Sequence, residues 1–204
     1  MKTFSTLLLT LFLAPCLHSQ VPLNTPFTRD QVRALASRCA VMVHPDTVEA
    51  IIRQESAYHP YALSINHPAT EAQRQGYADS LYQLAQQPRN RREAIAWAKW
   101  LLTHGHTVSI GLMQVNTEVA PALGIHNPLA LFNPCVNLAA GAAILRSAYA
   151  GQPHNLQGLA NAFAIYNSGS VGVGTRNGYA AGVISKAPPL TRYIPEPQPP
   201  DQTP

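Results

Sequence analysis

Apolar residues along this chain recur mainly at the three- and four-residue spacing of helices that bury one face. In TRDQVRALASRCA, Thr28 and Gln31 form a capping-box signature, and Val32, Leu35, Ala36 and Cys39 share one side, which predicts a helix over 29–39. Pro45 suits a first helical position, and Val48, Ile51, Ile52 and Glu55 follow at i, i+3, i+4 and i+7. The carboxyl of Glu55 thus falls on an apolar stripe. Asn90 with Glu93 starts a further helix, whose inward stripe reads as Ala94, Trp97, Ala98 and Leu101 and which Gly105 closes. Helices are also expected over 117–123, 136–150, 156–166 and 179–185, and a short one near 80–86 in an otherwise polar stretch. SIGLMQVN is a short mixed run, and the glycine-rich NSGSVGVGTRNG reads as a connection. The fold class is mainly α, with room for a small β-hairpin and no internal repeat.

The two ends differ from the rest. Lys2, an apolar run from Ser5 to Ala14 and small or polar residues near Ser19 make 1–19 a secretory signal peptide, directing the chain to the periplasm. A membrane-spanning helix needs about 20 apolar residues, and Pro15 ends this run at about half that. An uncleaved anchor is the alternative, and lipidation at Cys16 a weaker one, because Pro15 stands where a lipoprotein box wants Gly or Ala. Residues 187–204 hold seven prolines and no apolar period, so 188–204 is expected to be an extended, disordered tail. Between the ends, 26–187 suits one domain: of the 204 residues, 46% are hydrophobic and 12% charged.

Loss of Cys16 with the signal leaves Cys39 and Cys135, an even pair in an oxidising compartment and hence a predicted disulfide, with two buried thiols as the alternative. The net charge of +4 comes from scattered residues such as Arg38, Arg53, Arg89, Arg91 and Arg92, not from a basic and aromatic footprint, so no nucleic-acid partner is expected and the protein is peripheral to a membrane at most. His104 and His106 lack a third ligand at recognisable spacing, so no metal site follows. GSVGVG lacks the Lys and Ser/Thr of a phosphate loop, and Ser168 is not in a nucleophile elbow. No cofactor is implied.

Three motifs carry chemistry: RQESAYHPYALS at 53–64, GLMQVN at 111–116 and AIYNSGS at 164–170. In this order they resemble the signatures of the lytic transglycosylases of the lysozyme superfamily. Within that family the chain is most similar to the VirB1-like proteins of type IV secretion systems, through its signal peptide, the Cys ahead of the Glu-bearing helix and the FNPC run at 132–135. It departs from larger soluble members by a long insert at 65–108. The resemblance implies a lysozyme-like fold acting on the glycan strands of peptidoglycan, with type IV secretion components as partners. Glu55 is then the catalytic residue. Ser64, Met113, Gln114, Tyr166, Asn167 and Tyr179 are then substrate-binding, with Tyr166 near Glu55.

The acid of a glycosidase must hold its proton near neutrality, where a free Glu has lost it. An apolar stripe and a helix C-terminus both disfavour the carboxylate, so Glu55 sits where its titration is pushed the required way. Periodicity alone leaves open a surface Glu one turn past the stripe; the two companion motifs argue against it. Hydrolysing glycosidases need a second carboxylate, and neither GLMQVN nor AIYNSGS supplies one. That favours the mechanism that the resemblance implies, cleavage of the bond between N-acetylmuramic acid and N-acetylglucosamine with a 1,6-anhydro product. A hydrolytic goose-type lysozyme and a non-catalytic glycan-binding assembly factor are the alternatives.

Overall fold

The computed structural model describes residues 25–67, 84 and 86–187. The expected signal peptide and tail, and most of the short helix expected at 80–86, lie outside them. Helix α1 (Arg29–Cys39) starts as expected, the Gln31 amide donating to Thr28 Oγ1 at 3.2 Å and the Thr28 amide to Gln31 Oε1 at 2.8 Å. Helix α2 (Pro45–Glu55) buries Val48, Ala50, Ile51 and Ile52 and ends at Glu55. Helix α3 (Arg91–Thr103) is capped by Asn90, whose Oδ1 accepts from the Glu93 amide. Then follow α4 (Pro134–Tyr149), α5 (Leu156–Ser168), α6 (Val171–Arg176) and α7 (Tyr179–Lys186). The fold is mainly α, as expected, around a core that includes Val32, Ile51, Leu138, Phe163 and Val183.

In place of a lone hairpin there are three short antiparallel strands, β1 (Leu63–His67), β2 (Thr107–Ile110) and β3 (Val115–Asn116), in that order. Their register sets Ser64 opposite Ser109 and Ser109 opposite Asn116, and sets Leu63 opposite Ile110 and Ile110 opposite Val115. Because side chains alternate across a strand, one face becomes a polar row and the other joins the core. The middle of the insert is tied to this sheet: the Gln87 side chain donates to the Leu63 carbonyl (2.9 Å) and accepts from its amide (2.8 Å).

Three expectations are corrected. Residues 117–123 form a turn and a 3-10 helix (Pro121–Leu123), because Pro121 has no N–H to continue an α-helix and Asn116 Oδ1 instead takes the Glu118 amide. The glycine-rich connection contains α6. A Cβ on Gly174 would lie 2.3 Å from the Ala164 carbonyl oxygen, so that glycine serves close helix packing, not a flexible loop. Trp97 is 44% exposed, because Ala94, Ala98 and Leu101 complete a narrow inward stripe without it.

The Cys39–Cys135 disulfide joins the end of α1 to the start of α4 across 96 residues. In the chain-entropy model, closing a loop of that length stabilises the fold by roughly 4 to 5 kcal/mol. A second long-range tie is polar. Asn137, fully buried on α4, donates to the Ile110 carbonyl and accepts from the Met113 amide, both at 2.7 Å. Between those partners Gly111 has φ +79°, and a Cβ there would meet Asn137 Nδ2 at 2.7 Å. Replacing Asn137 by Leu, which keeps the volume and strands both backbone groups in the core, is expected to destabilise the fold by about 2 to 4 kcal/mol in urea denaturation. A loss well under 1 kcal/mol would mean that this bridge does not brace the turn.

Candidate active site

Glu55 closes α2, and the chain must reverse directly after it to enter the sheet. Ser56 caps the helix, its amide and hydroxyl both donating to the Ile52 carbonyl. Ala57 (φ 48°) and Tyr58 (φ 68°) then take the left-handed conformation, which non-glycine residues adopt only when held there. The holding groups are visible. Tyr58 donates its hydroxyl to fully buried Glu49, which pairs with Arg29 at 3.4 Å, and the Phe27 amide donates to the Tyr58 carbonyl at 3.0 Å. Burial and the Glu49 carboxylate push the Tyr58 hydroxyl up to about 12, so it stays a donor.

From the other side α7 crosses the end of α2. Gly182 leaves room for the Gln54 side chain, which accepts from Lys186 Nζ, and Tyr179 donates its hydroxyl to Glu55 Oε1. Burial raises Glu55 from its ordinary value of 4.5 to about 7, and the Tyr179 hydrogen bond offsets part of that rise. Burial, then the charge of Glu55, drives the hydroxyls of Tyr166 and Tyr179 above their ordinary value, so both remain protonated.

A groove of about 650 Å³ opens in front of this carboxyl. One side is the polar row of the sheet, Ser64, Asn66, Ser109 and Asn116, with Gln114; the other is Ile144 of α4 and Ile165 to Gly169 of α5. Gln114, itself left-handed at φ 46°, ties the sheet side together: its Nε2 donates to the carbonyls of Ala62 (3.1 Å) and Gly111 (2.9 Å), and its Oε1 accepts from Ser64 Oγ (2.8 Å). Tyr166 spans the two sides, lining the groove while donating to the Met113 carbonyl at 2.6 Å. Asn167 accepts from Asn177 at 2.8 Å, and Gly169 at φ 71° ends α5 beside it, so this Asn both lines the groove and helps shape the turn. A second cavity of about 310 Å³, bordered by Val43, Thr47, Leu145 and Leu159, lies at the other end of α2 and shares no residue with the groove.

The structure therefore brings Glu55, Ser64, Gln114, Tyr166 and Asn167 to one groove and sets Tyr179 on Glu55 from behind. Met113 differs from expectation. Its side chain is fully buried against Gly141, where a Cβ would lie 2.5 Å from its sulfur, and it shapes the site through its backbone. Sequence reasoning missed Asn66 and Ser109, whose signal was the polar alternation of SINH and TVSI, and Asn116, which ends the GLMQVN motif. It also missed Asn137 and Glu49. Among the described residues, no group of three His, Cys, Asp or Glu side chains could hold a metal ion.

The model of the transglycosylase SLT domain matches residues 34–186. The chain is similar to the type IV secretion system protein virB1 of Brucella abortus biovar 1, 33% identical over 170 residues that cover 78% of this chain and 65% of that one. Protein virB1 of Agrobacterium fabrum is 31% identical over 173 residues (81% of this chain, 64% of that one), and protein virB1 of Rhizobium radiobacter 30% over 178 residues (86% and 68%). The chain thus spans about 65% of the Brucella relative's length. No solved structure matches. A family model that covers most of the described chain, over the residues that build the groove, places the protein in the transglycosylase SLT domain family.

Proposed function

We propose that this protein is a lytic transglycosylase, cleaving the β-1,4 bond between N-acetylmuramic acid and N-acetylglucosamine in peptidoglycan and leaving a 1,6-anhydro-muramoyl end. One observation carries this reading: among the described residues, Glu55 is the single carboxylate lining the groove, and burial keeps it protonated up to about pH 7. Hydrolysing glycosidases set two carboxyl groups about 5 to 5.5 Å apart when retaining and about 6.5 to 9.5 Å apart when inverting.

With one carboxyl, the same group must act twice. Glu55 gives its proton to the glycosidic oxygen, the C1–O bond of the muramoyl residue breaks, and the N-acetylglucosamine unit leaves with a free C4 hydroxyl. The N-acetyl oxygen of the muramoyl sugar supports the cationic C1. The Glu55 carboxylate then removes the proton from the C6 hydroxyl, whose oxygen closes on C1, so the acid is regenerated and no water is consumed. Tyr179, donating to Oε1, stabilises the carboxylate between the steps and leaves Oε2 for the moving proton. Ser64, Gln114, Tyr166 and Asn167 hold the sugars on either side, and Met113 positions Tyr166 through its carbonyl.

The biological setting rests on the relatives. The Brucella relative is named as a type IV secretion system protein, which supports local opening of the wall so that such an apparatus can cross it, with its components as partners. A signal peptide over 1–19, export to the periplasm, a catalytic domain over 26–187 and a proline-rich tail over 188–204 fit that role. No helix among the described residues is long and apolar enough to cross a membrane.

Mass spectrometry of fragments released from purified peptidoglycan is expected to find anhydro-muropeptides from the parent, with release slowed about a thousandfold in Glu55→Gln. Reducing ends would make the protein a hydrolase, and unchanged release by the variant would remove Glu55 from the mechanism. The pH profile separates the same readings. The free enzyme needs only the protonated acid, so kcat/KM is expected to be level in acid and to fall about tenfold per pH unit above about pH 7, where Glu55 loses its proton. A bell, with an acidic limb from a second carboxylate, would contradict the one-carboxyl mechanism.

A further inference from the structure

The outward side of α3 is an unusual surface for a soluble domain. Trp97 is 44% and Trp100 50% exposed. They meet edge to face with centroids 6.3 Å apart, and the Trp100 ring stacks on His104 at 4.1 Å, so the indoles are held in place rather than left loose. Beside them Arg92, Ala96, Lys99 and Thr103 follow at i, i+4, i+7 and i+11, all exposed; Arg91, the first residue of the helix, is exposed at its end, and Arg89 extends the basic strip past the helix start. Glu93 is the single acidic residue of α3 and is taken by Arg89, which donates to it from both its amide and its Nε. Arg91, Arg92 and Lys99 have no ion pair among the described residues.

Which partner suits two fixed indoles flanked by unpaired cations? A sugar ring can stack on an indole, but reading its hydroxyls takes amide and hydroxyl side chains close by, such as Ser64, Asn66, Gln114, Asn116 and Asn167 supply in the groove. The outward side of α3 offers no Asn, Gln or Asp to read sugar hydroxyls. Indoles sit well at a lipid interface, with the ring among headgroups and the N–H on a carbonyl or phosphate oxygen, and Lys and Arg close to that plane are drawn to anionic phosphates. We infer that the outward face of α3 docks on an anionic phospholipid surface, with Trp97 and Trp100 set into the headgroup layer and Arg91, Arg92 and Lys99 on phosphates. Attachment is in the plane of the membrane, and it does not depend on the catalytic reading.

Trp97 and Trp100 are the two tryptophans of the whole chain, so intrinsic fluorescence reads this surface directly. The test is titration of the purified protein with phosphatidylcholine vesicles, with and without phosphatidylglycerol, and with brominated lipid as quencher. A blue shift and quenching on the anionic vesicles alone, reversed by salt, are expected. In Arg91→Glu/Arg92→Glu, affinity for those vesicles should fall about 30-fold or more, taking roughly fivefold for each cation near the surface. The new acids stand in the first turn of α3, where negative charge is favourable, so the fold is retained and peptidoglycan cleavage is unchanged. No shift on anionic vesicles overturns the inference, as does binding that survives the charge reversal or leaves the indoles unquenched. A shift caused by soluble chitooligosaccharide and not by vesicles would make this face a glycan surface, which also overturns it.

Discussion

Keeping one carboxyl largely out of water at the end of α2, with its remaining exposure turned to the groove, constrains most of what surrounds it. Glu55 is the last residue of its helix, where unpaired carbonyls carry partial negative charge, and its other neighbours are the apolar stripe of Ile51 and Ile52. Left open to water there, it would titrate like any surface glutamate. What removes the water is α7, drawn close over α2 by Gly182 and laying Tyr179 across the carboxyl. Burial pushes the group up and the tyrosine hydroxyl pulls it part of the way back. The balance is an acid that holds its proton near neutrality yet has a donor ready for its charged form.

The remaining bonds of the site serve to hold a groove in front of that group. Four short segments with little regular structure of their own meet here: the reversal after Glu55, the start of β1, the 111–114 turn and the end of α5. Three of them are held by polar side chains of the site: Glu49 holds the reversal, Asn137 and Tyr166 hold the turn, and Gln114 joins the turn to β1. Such residues are polar, partly or wholly buried and nearly all engaged with partners, which is the condition under which a polar interior adds rigidity.

Much of this was legible in sequence because it is local. Capping by Thr28 and Asn90, the Pro45 start and the period that carries Glu55 depend on neighbours within one helical turn. What could not be read depended on distant partners. Asn137 looks like a blemish in an alanine-rich helix until its partners, Ile110 and Met113, are known. Gly174 looks like a loop until α5 lies against it. Strands of two to five residues are too short to show alternation clearly, which hid the polar row that lines the groove. The motif resemblance supplied Tyr166 and Tyr179, which periodicity could not, and put Met113 in the cleft, whereas its side chain packs in the core.

The arrangement works against stability. Glu55 holds a proton in the folded state that the unfolded chain has already released above about pH 4.5, so its contribution is fully present below that pH. It is lost as pH rises through about 7, and on this account the domain is up to about 3 kcal/mol less stable in mild alkali than in acid. The most direct measurement is a 13C NMR titration of the Glu55 side-chain carboxyl in the parent and in Tyr179→Phe. The account predicts a midpoint near 7 in the parent and a higher one in the variant, which keeps the burial and loses the bond that favours the carboxylate. A parent midpoint in the ordinary carboxylate range would contradict it.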